Sequence, residues 1–214
     1  MIIARTGCRA RGLSGGRIVI LSPDMAAVSR LSVVTVIGSG GRDHGNAELA
    51  AAVGRLVAEM GFHLLTGGGG GVMRDACRGF TSWAGRRGVS IGVIPRALKS
   101  EAPKEGYPNP WVEIPILTHL AGRRGPEAAD SRNAINVLSA WKIVALPGRE
   151  GTRAEIRLAQ RYGKPLLAVL DADRAGNEEE FLGFLRGLRV PHQLVGRAGH
   201  DWDLEEVRSF LAAP

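Results

Sequence analysis

Leu31-Ser32-Val33-Val34-Thr35-Val36-Ile37, followed by Gly38-Ser39-Gly40-Gly41, decides the fold of this chain. A β-branched run without polar alternation reads as a strand covered on both faces, and such strands belong to parallel sheets flanked by helices. The glycines closing the run mark a tight strand-to-helix turn. Next, Leu49, Ala52, Val53, Leu56, Val57 and Met60 recur at helical spacing, with Gly61 placed as the C-terminal stop. Phe62 to Thr66 reads as a second strand, Gly67 to Gly71 as a loop, Val72 to about Trp83 as a helix, and Val89 to Ile94 as a strand ended by Pro95.

Between Arg96 and Asp130 the pattern weakens, with five prolines (103, 108, 110, 115 and 126) around one extended piece, Trp111 to Ile116. Order returns with a helix over Ser131 to Ala140, a strand over Ile143 to Leu146, a helix over Thr152 to Arg161 and a strand over Leu166 to Leu170. Glu178 to Leu188, Gln193 to Val195 and Asp203 to Leu211 complete a last helix–strand–helix set. Alternation of this kind predicts an α/β fold: a doubly wound, mainly parallel sheet with helices on both faces, in a single domain over residues 31–214.

The chain has 214 residues and a formal net charge of +7. Residues 1–30 carry five arginines against Asp24, so most of that excess lies in a stretch read as a basic flexible leader. The high pI therefore says little about partners. Aromatic residues make up 5% and no nucleic-acid-binding motif stands out, so stacking platforms and a continuous basic stripe are both unsupported. No run approaches the roughly 20 apolar residues of a membrane span. Cys8 and Cys77 alone fit a reduced, cytoplasmic protein, with Cys77 a small core residue. The five histidines lack metal-ligand spacing, so no metal site is expected.

Glycine is abundant, at 30 residues, and concentrates where strands hand over to helices: Gly38 to Gly41, Gly67 to Gly71, and Gly148 to Gly151. In an open parallel sheet these junctions lie at the carboxyl edge, where ligands bind. Each alone is explained by a tight turn. Three along one edge point to a phosphate-bearing ligand, held by helix-opening N–H groups. The familiar phosphate motifs are absent: in G-x-G-x-x-G the third glycine would fall on Asp43, or on Val72 or Met73, and there is no G-x-x-x-x-G-K-[ST]. An ordinary dinucleotide dehydrogenase or P-loop NTPase is thereby disfavoured.

Pro147-Gly148-Arg149-Glu150-Gly151-Thr152-Arg153-Ala154-Glu155 admits two readings. Thr152 and Glu155 have the spacing of a capping box, as N-cap and N3. Alternatively Glu155 acts at a ligand site with Arg132, 15 residues before Pro147, as an ionised carboxylate favoured by the helix start.

Leu64-Leu65-Thr66-Gly67-Gly68-Gly69-Gly70-Gly71-Val72-Met73, Ile91-Gly92-Val93-Ile94-Pro95, Ser131-Arg132-Asn133 and the Pro147 to Glu155 stretch resemble, in order, the Lonely Guy (LOG) superfamily, once labelled lysine decarboxylase-like. The resemblance runs from about Val33 to Val169. It implies a Rossmann-like fold, usually dimeric, and for many members a phosphoribohydrolase that releases a base from a nucleoside 5′-monophosphate without a required cofactor. On that resemblance Arg132 and Glu155 match the catalytic pair, and Gly148, Gly151 and Thr152 the phosphate-cradling loop. Arg149 replaces the second glycine of the signature P-G-G-x-G-T-x-x-E, and Asn133 stands where the hydrolases carry Lys. Tyr107-Pro108-Asn109-Pro110-Trp111-Val112-Glu113-Ile114-Pro115, with Arg132-Asn133, resembles more closely the branch that includes molybdenum cofactor carrier proteins, which implies a phosphorylated, molybdopterin-type ligand and no catalysis.

The candidate set is thus Arg132 and Glu155 for chemistry. For the ligand it is Gly38, Ser39, Gly68, Gly69, Gly70, Gly71, Val72, Met73, Asn133, Gly148, Arg149, Gly151 and Thr152. The expected partners are a small phosphorylated molecule and further copies of the chain, as a homodimer or higher homo-oligomer, with neither nucleic acid nor membrane. Trp111 is expected to border the site. Asp171 and Asp173 are read mainly as local turn hydrogen bonding.

Overall fold

The computed structural model describes residues 31–41, 44–95, 106–120 and 130–214. The leader expected over residues 1–30 lies outside the described residues, as do 96–105 and 121–129 of the proline-rich insertion.

Seven strands form one parallel sheet: β1 (Val33–Ile37), β2 (His63–Thr66), β3 (Ser90–Ile94), β4 (Ile114–Leu117), β5 (Lys142–Ala145), β6 (Leu166–Asp171) and β7 (His192–Val195). Their order is β4-β3-β2-β1-β5-β6-β7. The chain steps outward from β1 to β4, then returns to lay β5 against the free side of β1, with Val34 opposite both Leu64 and Lys142. The reversal between β1 and β5 is the topological switch point, the place where open α/β sheets form a crevice.

Helices α1 (Ala47–Glu59), α2 (Val72–Ser82), α3 (Arg132–Ser139), α4 (Glu150–Arg161), α5 (Glu179–Gly187) and α6 (Glu205–Ala212) cover the sheet. Two cores result. Val34, Val36, Leu64, Val144 and Val169 pack with α1, α2 and α6, whereas Ile37, Ile143, Ala145, Ala168 and Leu170 pack with α3, α4 and α5. Neighbouring residues of β5 thus enter opposite cores, as the two-residue period of a strand requires. The expected Rossmann-like, doubly wound α/β architecture is the one observed.

Helices α1 and α2 approach closely enough for backbone to meet backbone. A side chain on Gly54 would run into the Ala76 carbonyl, and one on Gly79 into the Ala51 carbonyl. At the opposite edge of the sheet from the glycine turns, buried Lys142 donates from Nζ to Phe210 O and Ala213 O, both at 2.6 Å, closing the last turn of α6. Lys164 does the same for α3, through Leu138 O and Ala140 O. Lysines here satisfy helix-terminal carbonyls that would otherwise lack donors.

Several local expectations hold. His63 opens β2, Cys77 is buried, and Asp171 accepts from the Asp173 N–H at 3.0 Å. The strand in the insertion lies slightly later than its predicted Trp111 start, at Ile114–Leu117. A two-stranded antiparallel hairpin, β8 (Arg197–Ala198) and β9 (Asp201–Trp202), is too short to leave a periodic signal in the sequence.

Candidate functional site

The three glycine turns converge at the carboxyl ends of β1, β2 and β5, and Ser39 ties them by its main chain. Its N–H donates to Pro147 O at 3.1 Å and its carbonyl accepts from the Val72 N–H at 2.9 Å. The Ser39 side chain serves its own turn, Oγ accepting from the Gly41 N–H at 3.2 Å. Gly71 has φ +60°, and a side chain there would strike the Ser39 carbonyl. Gly38 leaves room for Val72, whose Cγ1 would lie 2.6 Å from an added Cβ, and Gly148 for Thr152 and the Ser39 N–H. Helices α2 and α4 therefore begin at the same junction; the Val72 N–H is taken by the Ser39 carbonyl, and the amide N–H groups that follow in each first turn are of the kind that attract anions.

Arg132 begins α3 and is only 9% exposed. Its guanidinium lies against Gly67, so that any side chain at 67 would collide with Nη1, and Met73 Sδ lies close to the same glycine. Arg132 Nε and Nη1 are buried without a hydrogen-bond partner among the described residues. Buried charged donors left unpaired are costly, which makes this an arrangement suited to an anionic acceptor.

Glu155 is 7% exposed, and its Oε1 accepts from Asn136 Nδ2 at 2.7 Å. Burial pushes its carboxyl above the ordinary range, against the pull of the Arg132 charge and the Asn136 hydrogen bond. Two expectations are corrected here. The capping box does not form: α4 starts at Glu150, with extended Arg149 at the N-cap and no side-chain capping bond, so Thr152 is the third helical residue and Glu155 lies in the second turn. Beyond the first turn the helix dipole has faded, so desolvation rather than the helix start sets the Glu155 protonation balance.

The remaining candidates divide by exposure. Thr152 and Asn133 are buried at 3% and 4%, and Gly68, Gly69 and Met73 are also buried, whereas Arg149 and Gly151 are exposed at the crevice mouth. Among the described residues no group of three His, Cys, Asp or Glu side chains could hold a metal ion, and no helix is long and apolar enough to cross a membrane.

The model of the SLOG cluster4 family matches residues 31–184. The chain belongs to that family. An uncharacterized protein of Archaeoglobus fulgidus is 32% identical over 140 residues, covering 65% of this chain and 81% of its own. The solved molybdenum cofactor carrier protein of Chlamydomonas reinhardtii superposes with a TM-score of 0.61 at 28% identity, over 86% of this chain and 100% of that one. The molybdenum cofactor binding protein of Rippkaea orientalis gives 0.59 at 28% identity, over 77% and 90%. The resemblance to the LOG-like superfamily, near its carrier branch, therefore holds.

Within this SLOG cluster4 chain, sequence reasoning passed over three features. Asn136 holds Glu155 from one turn after Arg132; the i,i+4 spacing put both on one face of α3 and was the available signal. In the insertion it is Tyr107 that meets the glycine loop, against Gly69, while Trp111 is 40% exposed with its N–H held by Asn109 Oδ1 at 3.0 Å. His44 and Asp75 form a buried pair, Nε2 to Oδ2 at 3.0 Å, with side chains 1% and 4% exposed. Because His44 Nδ1 accepts from the Asn46 N–H at 3.2 Å, the ring carries its proton on Nε2 and donates it to Asp75. No spacing rule joins residues 31 apart on a loop and a helix.

Proposed function

We propose that this SLOG cluster4 protein binds a small phosphorylated heterocycle, of nucleotide or pterin type, in the crevice beside β1 and β5. The observation that carries the reading is Arg132, a buried guanidinium with two unpartnered nitrogens where three glycine turns meet. A phosphate there would accept from Arg132 and from amide N–H groups opening α2 and α4, with Gly148, Gly151 and Thr152 forming one wall. Ser39, Val72 and Met73 would form the other. Similarity to the two molybdenum cofactor proteins favours a phosphorylated pterin as cargo. The donors at hand, a guanidinium and main-chain amides, suit its phosphate oxygens and ring acceptors. A homo-oligomer belongs to the same reading.

A second reading, hydrolysis of the N-glycosidic bond of a nucleoside 5′-monophosphate, rests on Glu155. Breaking that bond builds positive charge on the sugar, which an ionised carboxylate would stabilise more in the transition state than in the ground state. Glu155 would have to ionise against its burial, so binding is the reading favoured.

Thermal-shift and calorimetric titrations with nucleoside 5′-monophosphates, a pterin phosphate and their dephosphorylated forms test the first reading. Only the phosphorylated compounds should bind, and Arg132→Gln should weaken them about tenfold or more. Stabilisation by none of them would overturn it. Chromatography of monophosphate incubations separates the second: free base released by the wild type and lost in Glu155→Gln would make this an enzyme.

A further inference from the structure

Asn109 is buried, at 4% exposed, between the exposed Pro108 and Pro110, and all four of its polar groups are used. Its N–H donates to Gly68 O at 2.8 Å and its Nδ2 to Gly69 O at 3.0 Å. Oδ1 accepts from the Trp111 N–H and its carbonyl from the Val112 N–H at 3.2 Å. One residue thus grips two successive carbonyls of the Gly67–Gly71 turn. In a trans peptide the carbonyl of one residue and the N–H of the next point in opposite directions. Holding Gly68 O and Gly69 O toward the buried side, where Cys77 Sγ lies 3.9 Å from Nδ2, turns the N–H groups of Gly69 and Gly70 the other way. Neither donates to a backbone carbonyl among the described residues, and Arg132, whose Nε and Nη1 are unpaired, sets Nη1 against Gly67 of the same turn. The Gly68 N–H, by contrast, is taken by Thr66 Oγ1 at 3.1 Å.

We infer that Asn109 is a positioning residue: it fixes the Gly68–Gly70 peptides so that two successive N–H groups and Arg132 address one oxyanion of the ligand. This rests on the phosphate-binding reading given above. Successive amides turned to one side form an anion-binding concavity. Without Asn109 the two peptides would be free to rotate and carbonyl oxygens would compete for the same space. Asn109→Asp is the sharper change, because it keeps the Trp111 contact and the shape but sets a carboxylate against Gly69 O.

The test uses inorganic phosphate, the group common to both ligand types, with chloride at equal ionic strength as reference. Wild type should be stabilised by phosphate beyond chloride, and in amide-resolved NMR the Gly69 and Gly70 protons should move downfield as phosphate is added. Asn109→Asp and Asn109→Ala should bind phosphate about tenfold more weakly. Lys142→Met, a destabilised variant at the far edge of the sheet, should retain the full phosphate effect. Full retention in both Asn109 variants, unmoved Gly69 and Gly70 amides in the wild type, or an equal loss in Lys142→Met would overturn the role of Asn109 alone. A wild type indifferent to phosphate would overturn the site itself and this inference with it.

Discussion

At the scale of single residues, the crevice turns on a carboxyl and a guanidinium that share one buried layer. Because burial raises the Glu155 carboxyl above its ordinary range, folding favours its protonated form. The stability this contributes is present at low pH and is lost as pH rises through the raised value. Gln has the shape of the neutral acid and can keep the Asn136 contact. The melting temperature of Glu155→Gln relative to wild type should therefore climb between pH 4 and pH 8, and a flat or falling difference across a thermal-melt series would contradict that sign. Arg132 and Glu155 were legible as candidates. Their surroundings were not, since Asn136 reaches Glu155 across 19 residues of chain. The letters Thr-x-x-Glu are the same whether the glutamate caps a helix or is buried behind it, and only tertiary packing decides.

At the scale of elements, the crossing of α1 and α2 reverses a local preference. Intrinsic propensity gives alanine about 1 kcal/mol over glycine inside a helix. At Gly54 and Gly79 the added methyl group would meet the carbonyl of the facing helix, and overpacking typically costs about 1–3 kcal/mol. Gly54→Ala and Gly79→Ala should each lower stability in urea denaturation, with Gly183→Ala, on the open face of α5, neutral or stabilising. Strand and helix positions were legible because the buried runs and the 3.6-residue stripes are long. The start of α4 was displaced by two residues because Arg149 is not a preferred capping residue, so composition pointed past it to Thr152.

At the scale of the whole molecule, the crevice lies on the seam where the two windings of the sheet meet. A phosphate gripped by α2 and α4 would touch both windings, so its binding energy should appear as stability of the entire sheet. Saturation at 100 times Kd corresponds to about 2.7 kcal/mol. Hydrogen exchange should slow together in β2 and β6, on opposite sides of the seam, and protection confined to the glycine turns would show local ordering only. Alternation of strands and helices was legible from the start. The strand order that creates the seam was not, because it depends on which edge of β1 receives β5, a long-range pairing without a local signal.

The link through Ser39 has an evolutionary corollary. Its two bonds, one across the seam to Pro147 and one to Val72 after β2, use the peptide N–H and carbonyl, a pair that every residue except proline carries. Drift of the side chain at position 39 would therefore leave the three turns in place. Side chains around the junction can therefore change while the three turns stay joined, because the joint itself asks nothing of the side chain at this position.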